Sequence, residues 1–416
     1  MVPCVRRWVL LVLIVALALR VLAIVDSDVP LYGDPADYDR IAVALADHGH
    51  FAETQLAAPG SASALRPPAY PLLVGAVYAV VGHHPDAARF AGALLGTLAV
   101  GLVYLLAAAV FGRRRALAAA GIAAVAPPLV WISNSLLAET LAVPLILATV
   151  LAILHARRTA DPRLAAAAGL LLGLTVMTRT NTLALGLPLV VALWGARRNA
   201  GIALACVALV LTPWTIRNAA KFHRFLPLGT QSGYTIAGQW NDITAGPGER
   251  RAAWLTPQSV PAYADLFGKP GVDEGDIDAE LRSRAVSYAV HHPGVPVKAF
   301  GLDLMHAFDL GPGHSYVANV SYREMGVPPN RFNLVRYGTY LLVLLAAVGL
   351  RRSRTELWLA LVPVLLLASV VPWLGAPRYT VAVDPFLAIL AAGALIKGSG
   401  TAREDVAHAA PSHPAV

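Results

Sequence analysis

"WVLLVLIVALALRVLAIV", residues 8–25, has one charged residue, Arg20, among apolar ones. At about 1.5 Å of rise per residue, a helix of this length crosses a hydrocarbon core of roughly 30 Å. Similar runs recur along the 416 residues, of which 57% are hydrophobic and only 14% are charged, whereas soluble domains average about 25% charged residues. The sequence therefore predicts an all-α polytopic membrane protein.

Ten membrane spans follow from the apolar runs, and the basic residues between them set the direction of each span. With a cytoplasmic N-terminus, every basic cluster falls on one side, as the positive-inside rule requires. The net charge of +8 therefore indicates topology, and no nucleic-acid partner is predicted. The predicted spans are 8–25, 90–111, 116–132, 136–155, 164–178, 181–196, 199–214, 333–350, 356–374 and 380–396. The cytoplasmic clusters are Arg6-Arg7, Arg113-Arg114-Arg115, Arg157-Arg158, Arg197-Arg198, Arg351-Arg352 and Lys397.

The apolar segment 69–82, "AYPLLVGAVYAVVG", is a candidate for an eleventh span. A helix of this length measures about 21 Å, which is too short to cross. A crossing here would also place the arginines of 113–115 outside. We expect a helix lying at the outer interface.

These spans divide the chain into six regions and place its polar side chains mainly outside the membrane. Both termini are predicted to be cytoplasmic, in a multi-pass protein of the plasma (inner) membrane, and the polar side chains available for chemistry lie on its external side. The predicted regions are 1–25 as the first span, 26–89 as an external loop with interfacial helices, 90–214 as spans 2–7, 215–332 as a large external loop, 333–397 as spans 8–10, and 398–416 as a disordered cytoplasmic tail.

The stretch "LYGDPADYDR", residues 31–40, carries an unusual concentration of charge directly after the first span. One interpretation is purely structural. Asp34 would be the N-cap of an amphipathic helix, Pro35 would fill its first position, and Gly49 would end it. An apolar stripe at helical spacing would then rest on the membrane or on other helices. This stripe comprises Tyr38, Ile41, Ala42 and Leu45.

The second interpretation is catalytic, because the same loop contains Arg66 in "ALRPPAYPLL", residues 64–73. A carboxylate such as Asp34 can act as a general base toward an acceptor hydroxyl. The forked donors of an arginine match a leaving phosphate. The two interpretations are compatible, since a residue that caps a helix can also be catalytic.

Several segments together resemble bacterial membrane glycosyltransferases of the GT-C class, among them the protein O-mannosyltransferases and the lipid A aminoarabinose transferases. The resemblance is carried by "GDPADYDRIAVALADHGHF" (33–51), "LRPPAYPLL" (65–73), "SNSLLAET" (133–140), "TPWTIRNAAKFHRFLPLGTQSGYTIAGQWND" (212–242) and "GAPRYTVAVDPFLAIL" (375–390). It implies a GT-C-type bundle of about 10–11 spans. It also implies inverting transfer of a sugar from a polyprenyl-phosphate donor to a hydroxyl of a glycan, lipid or protein, on the outer face.

The resemblance also implies which residues form the site. The essential acid of the class lies four residues before a tyrosine, the spacing of Asp34 and Tyr38. Leu65-Arg66-Pro67 stands where the aminoarabinose enzymes have acid–Lys–Pro, so Arg66 can replace the lysine as phosphate ligand. Asp34-Pro35 stands where protein mannosyltransferases have paired acids. That departure argues against protein mannosylation and against a firmly bound metal.

Further candidates complete the predicted site, each with a structural alternative. Asp37 ranks second to Asp34 as a catalytic residue that orients or binds the acceptor, and Asp39 should point away from the apolar stripe. Arg179 is interpreted as an interfacial anchor. The remaining predicted ligands of the lipid phosphate or the acceptor are Arg20, Glu139, Arg217, Arg378 and Tyr379.

The structural alternatives for these ligands are ordinary features of membrane proteins. Arg20 would extend to external headgroups, Glu139 would favour a helix N-terminus, and Arg217 would anchor at the interface. No cofactor is assigned and no metal site is predicted, because the pairs His83-His84 and His291-His292 lack the spacing of a zinc site. A divalent metal remains open.

Two other functions fit a protein with about ten spans. A transporter or flippase of lipid-linked sugars usually carries ionisable groups near the middle of the membrane and often has internal repeats. Here mid-span charges are absent apart from Arg20, and the two large external loops hold the acids. A non-enzymatic subunit for envelope-polysaccharide assembly would need neither Asp34 nor Arg66. The transferase is the favoured prediction.

Overall fold

A computed structural model describes residues 3–51, 62–269, 272–352 and 357–396. Over these residues the chain is helical and contains no strand. The helices are α1 (Pro3–Val25), α2 (Asp34–His48), α3 (Ala69–Val81), α4 (Pro85–Phe111), α5 (Arg113–Val125), α6 (Pro127–Trp131), α7 (Glu139–Thr159), α8 (Pro162–Thr178), α9 (Gly186–Ala192), α10 (Arg197–Phe222), α11 (Gln231–Gln239), α12 (Asp242–Ala245), α13 (Glu274–His291), α14 (Gly294–Ala307), α15 (His314–Glu324), α16 (Phe332–Arg352), α17 (Leu357–Ala368) and α18 (Asp384–Leu395).

The predicted all-α membrane fold is confirmed. Within the described ranges, five helices are long and apolar enough to cross a membrane: α1, α4, α7, α10 and α16. Helices α5 and α6 form a further candidate span with a bend of 64°. Every other predicted span also contains a helix, although α8, α9, α17 and α18 are shorter than a full crossing. The predicted tail 398–416 lies outside the described residues.

Small residues let the long helices approach one another closely. Helix α8 packs against α7 and α10, and α16 packs against α18. A Cβ on Gly169 would lie 2.2 Å from the carbonyl oxygen of Ala203, and one on Gly349 would lie 1.9 Å from that of Leu390. At these two contacts only glycine allows the backbones to come so close.

The apolar stripe of α2 is buried, as the helical spacing predicts. Tyr38, Ile41 and Ala42 pack inward, and the helix lies against α3, where Gly75 approaches the backbone of Ala42. Gly49 ends α2 with a φ of 67°, a left-handed conformation that glycine adopts without strain. The stripe therefore packs on another helix of the same loop.

The long second loop folds into a small core of its own. This core is built from α11, α13 and two 3₁₀ helices, Pro257–Ser259 and Pro261–Leu266. Leu65 of the first loop is 2% exposed and belongs to the same core, and the N–H of Thr230 donates to the carbonyl of Ala64 at 3.2 Å. These contacts join the two loops directly beside Arg66.

Candidate active site

The beginning of α2 differs from the prediction in one respect: Asp34 is not the N-cap. Gly33 occupies that position with a φ of 64° and a ψ of −129°, and it has no side chain that could cap the helix. Asp34 is instead the first helical residue, followed by Pro35. Because the carboxylate of Asp34 makes no capping bond, it is available for other partners.

Those partners are two arginines from distant parts of the sequence. Arg66 donates from Nη2 to Oδ1 of Asp34, and Nη2 of Arg378 lies 2.8 Å from Oδ2 of the same carboxylate. Arg66 also donates to Oδ2 of Asp37 at 2.9 Å, and its guanidinium lies over the ring of Tyr38, 5.4 Å from the centroid. The structure thus brings Asp34, Arg66 and Arg378 together.

Local structure fixes both arginines. Pro67 and Pro68 follow Arg66 and lead directly into α3, and the preceding residue, Leu65, is held in the core of the second loop. Arg378 lies in the 3₁₀ helix Pro377–Ala382, and its backbone N–H donates to Oγ of Ser321 on α15 at 2.9 Å. These contacts hold the backbone at each arginine in place. The side chains therefore start from fixed positions, as a preorganised site requires.

The charges of this cluster control one another. Burial alone would raise the pKa of Asp34, but the guanidinium groups of Arg378 and Arg66 outweigh it and hold that pKa well below its usual range. Burial lowers the pKa of each arginine, but the neighbouring acids raise that pKa by a larger amount. Both arginines therefore remain charged. In this resting arrangement Asp34 is ionised and weakly basic.

A third acid of the site, Glu324, was not singled out from the sequence. Its Oε1 accepts the backbone N–H of Asp34 at 3.2 Å, and its Oε2 lies 2.7 Å from Nη1 of Arg378. Burial raises the pKa of Glu324 to about 7, against the opposing effect of Arg378. Arg378 is therefore shared by two carboxylates, Asp34 and Glu324.

Two adjoining cavities meet at this cluster. We call them the Arg179 cavity, of about 700 Å³, and the Glu324 cavity, of about 1140 Å³. Tyr38, Glu139, Arg179 and Asn181 line only the first of them. The residues that line both cavities include Asp34, Arg66, Arg378, Tyr379, Tyr234 and Trp254.

Besides the residues that it shares with the Glu324 cavity, the Arg179 cavity contains a further predicted site residue, Glu139, and one that we expected to be an anchor. Arg179 forms an ion pair with Glu139, which is 2% exposed at the start of α7. The Arg179 guanidinium lies 5.2 Å from the ring centroid of Tyr379, and that of Arg378 lies 4.8 Å from the same ring. The polar run Thr178–Asn181 directly after an apolar span was the signal that could have indicated this role.

Asp37 and Asp39 take structural positions beside the site. Asp37 is 2% exposed, accepts from Arg66 and Arg40, and lines neither cavity. In this position Asp37 can orient Arg66. Asp39 accepts the hydroxyl of Tyr78 at 2.5 Å, so it joins α2 to α3 instead of pointing freely into solvent.

Arg217 supports the site from outside. It lines neither cavity. Its Nη1 donates to the carbonyl of Ser63 at 2.7 Å, and its guanidinium lies 4.8 Å from the ring of Trp214. Arg217 therefore holds the segment that leads into Arg66.

Arg20 is also remote from the charged cluster. We expected its side chain to reach either the lipid phosphate or the external headgroups, and instead it lies inside the helix bundle. It is 2% exposed and binds to main-chain and side-chain oxygens within the bundle. Its Nη1 donates to Ala16 O at 2.9 Å, its Nη2 to Leu129 O at 3.2 Å, and its Nε to Ser133 Oγ at 3.2 Å. Two of these acceptors, Leu129 O and Ser133 Oγ, lie directly after the break between α5 and α6, so Arg20 joins α1 to this bend.

The cluster is suited to an anion more than to a metal. Within the four described segments, no group of three His, Cys, Asp or Glu side chains could hold a metal ion. The acids Asp34, Glu139 and Glu324 face guanidinium groups. Divalent cations need several convergent oxygen ligands, whereas guanidinium groups bind phosphate and carboxylate.

Comparisons with known proteins find one family that matches part of the chain and solved structures that are similar in fold. Residues 65–216 match the profile of the dolichyl-phosphate-mannose-protein mannosyltransferase family. This segment includes Arg66, Glu139 and Arg179 and leaves Asp34 and Arg378 outside. No curated protein matches the chain.

Among solved structures, the oligosaccharyltransferase of Archaeoglobus fulgidus tethered to an acceptor peptide with an NVT sequon is similar. The TM-score is 0.51 at 16% identity, with 93% of this chain and 49% of that chain covered. The same enzyme in complex with Zn and sulfate gives 0.47 at 15% identity, with 92% and 48% covered. The chain therefore spans about half the length of that enzyme, and at this identity the likeness is one of fold. The chain is thus similar to a mannosyltransferase family over residues 65–216 and to an oligosaccharyltransferase in its fold.

Proposed function

We propose that the protein transfers a sugar, with inversion, from a polyprenyl-phosphate donor to an acceptor hydroxyl on the outer face of the plasma membrane. One observation carries the proposal: Asp34 lies where two cavities meet, between Arg66 and Arg378. A transfer reaction needs a base within reach of both reactants and cations for the leaving phosphate. This arrangement provides both.

The donor is assigned to the Arg179 cavity. Three guanidinium groups, those of Arg66, Arg179 and Arg378, line that cavity, and forked donors of this kind match phosphate oxygens. Thr178 and Thr180, at the end of the apolar helix α8, line it as well. A polyprenyl tail can thus lie along the apolar helices while its phosphate reaches the arginines.

The acceptor is assigned to the Glu324 cavity, which is the larger of the two. Its walls come mainly from the second loop, and they offer hydroxyl groups and aromatic rings, including Thr256, Ser259 and Tyr316. Glycan, lipid and protein acceptors remain possible substrates. Asp34-Pro35 in place of paired acids favours an acceptor other than a protein.

The proposed reaction is a single displacement. The acceptor oxygen attacks the anomeric carbon, its proton passes to Asp34, and the bond between that carbon and the phosphate oxygen breaks. The polyprenyl phosphate leaves with an additional negative charge, which Arg66 and Arg378 stabilise. When the donor phosphate occupies these guanidinium groups, they hold Asp34 less strongly, so donor binding makes the base stronger.

The donor can be identified in cells. A strain that lacks the protein should accumulate one polyprenyl-phospho-sugar in its membranes, and the purified protein should release polyprenyl phosphate from that lipid when an acceptor is present. Inversion at the anomeric carbon should be visible in the product. If nothing accumulates and no tested lipid-linked sugar releases polyprenyl phosphate, the proposed function is wrong.

The external location can be tested with reporter fusions. Fusions after Arg115, Arg158 and Arg198 should report the cytoplasm, because these residues end the basic clusters. A fusion after Gly248, in the second loop, should report the outside. An external signal at any of the three arginines, or a cytoplasmic one at Gly248, would contradict the proposed orientation.

A further inference from the structure

Glu324 occupies a position that is unfavourable for a carboxylate. It is the last residue of α15, where the helix dipole disfavours negative charge, and only 8% of its surface is exposed. Both features lower the stability of the ionised side chain. Its compensating contact is Arg378, which it shares with Asp34.

The backbone is built to admit this carboxylate. A Cβ on Gly33 would lie 2.2 Å from Oε1 of Glu324, and the φ of 64° at Gly33 is one that other residues rarely adopt. The backbone carbonyl of Glu324 accepts a hydrogen bond from Oγ of Ser135 at 2.5 Å. The end of α15 is thereby fixed against the first residue of α2.

We propose that Glu324 is a positioning residue for the transfer: its negative charge neutralises Arg378 from the acceptor side and so leaves Asp34 basic enough to take the proton. This inference rests on the proposed function. Glu324 lines only the cavity assigned to the acceptor, whereas Asp34 lines both. The two acids therefore have different tasks around one guanidinium group.

The charge of Glu324 should have two effects of opposite sign. As a like charge beside Asp34, it raises the basicity of that carboxylate and favours proton transfer. As a like charge near the donor phosphate, it weakens the binding of that anion. A side chain with only a structural role would not separate these effects.

The ionisation of Glu324 also makes the reaction depend on pH. The charged groups that act on it are Arg378, Asp34 and Arg66, and Arg250 lines the same cavity. The pKa of Glu324 is raised by burial to about 7. As the pH falls through this value, the carboxylate becomes neutral, Asp34 becomes less basic, and kcat should fall.

Glu324→Gln keeps the size of the side chain and removes its charge. We expect kcat to fall on the order of tenfold and the donor KM to stay equal or decrease. The decline of kcat as the pH falls through about 7, which we call the acid limb, should disappear. Glu324→Asp should recover part of kcat and keep an acid limb. Unchanged kcat, or a lower kcat with the wild-type pH profile, would overturn the proposal.

A binding measurement keeps this test independent of catalysis. At pH 8, Glu324→Gln should bind decaprenyl phosphate in detergent about threefold to tenfold more tightly than the wild type, and the difference should shrink at pH 6. The phosphate group of the lipid titrates in the same way in both experiments, so it does not cause a difference between the two proteins. Equal affinities at pH 8 would refute the role of Glu324 even if no donor were found, whereas absence of transfer by the wild type would refute only the proposed function.

Glu280→Gln is the matched control, because Glu280 is an exposed acid on α13 paired with Arg284 at 2.8 Å. Its kcat, pH profile and lipid affinity should equal those of the wild type. The melting temperature of each variant in detergent shows whether it is folded. If Glu324→Gln is unfolded, Glu324→Asp tests the same role by moving the carboxylate away from Arg378. Its kcat should then lie below that of the wild type while kcat still declines at acidic pH, and a wild-type kcat would overturn the proposal.

Discussion

Asp34→Asn should lower the rate of sugar transfer by a factor on the order of 10²–10⁴, the usual contribution of a positioned general base. Asparagine has nearly the same shape, and its single amide oxygen can still accept from Arg66 or from Arg378, but it cannot take a proton at neutral pH. Release of polyprenyl phosphate by the purified, membrane-inserted variant is the measurement. The structure sharpens this test, because Gly33 is the N-cap and the side chain of Asp34 caps nothing.

Asp47→Asn is the matched control, since Asp47 is an exposed acid on the same helix. It should transfer sugar at the wild-type rate. If Asp34→Asn were equally active, Asp34 would not be the base. Asp37 would be the next candidate from the sequence, but it lines neither cavity. Glu324 would then have to be tested as the base itself.

The fold could be predicted because its determinants are local. Apolar runs give the helices, and the basic clusters between them give a consistent direction. Helix α2 was predicted from its own spacing, with its stripe and its final glycine. Its first residue was assigned wrongly, because Asp is a good N-cap and the sequence does not show that Arg66 and Arg378 hold its side chain.

The candidate site could be predicted only in part, because its contacts link distant segments. The resemblance to GT-C enzymes indicated Asp34, Arg66 and Arg378, which the structure brings together. Glu324 lies 290 residues from Asp34 along the chain, and an acid at the end of a loop helix looks like an ordinary surface residue. Its role follows only from the tertiary contacts.

Charged residues in or near spans were the least predictable class. A single sequence shows the cost of burying Arg20 but not the oxygens that compensate it, two of which come from residues more than 100 positions away. Arg179 and Arg217 both follow an apolar run directly. One lines a cavity beside Glu139 and the other supports a loop, and this difference depends on helix packing.

Arg66→Ala should reduce donor use on the order of tenfold to a hundredfold, since a charge-assisted hydrogen bond contributes about 1.5–3 kcal/mol. The structure adds a second expected effect. Arg66 also pairs with the buried Asp37, and removing one partner of a buried ion pair is destabilising. The melting temperature of Arg66→Ala should therefore fall, and its kinetics must be measured below that temperature.

Arg66→Lys separates the two effects. Lysine keeps a positive charge next to Asp34 and Asp37, so the melting temperature should return close to that of the wild type. It lacks the planar fork of arginine, so donor use should recover only in part. Arg224→Ala, which removes an arginine from an exposed pair with Asp276, should leave both quantities unchanged. Wild-type donor kinetics in Arg66→Lys would show that the fork does not hold the phosphate. Wild-type kinetics in a folded Arg66→Ala would remove Arg66 from the donor site altogether and leave Arg179 and Arg378 as its cations.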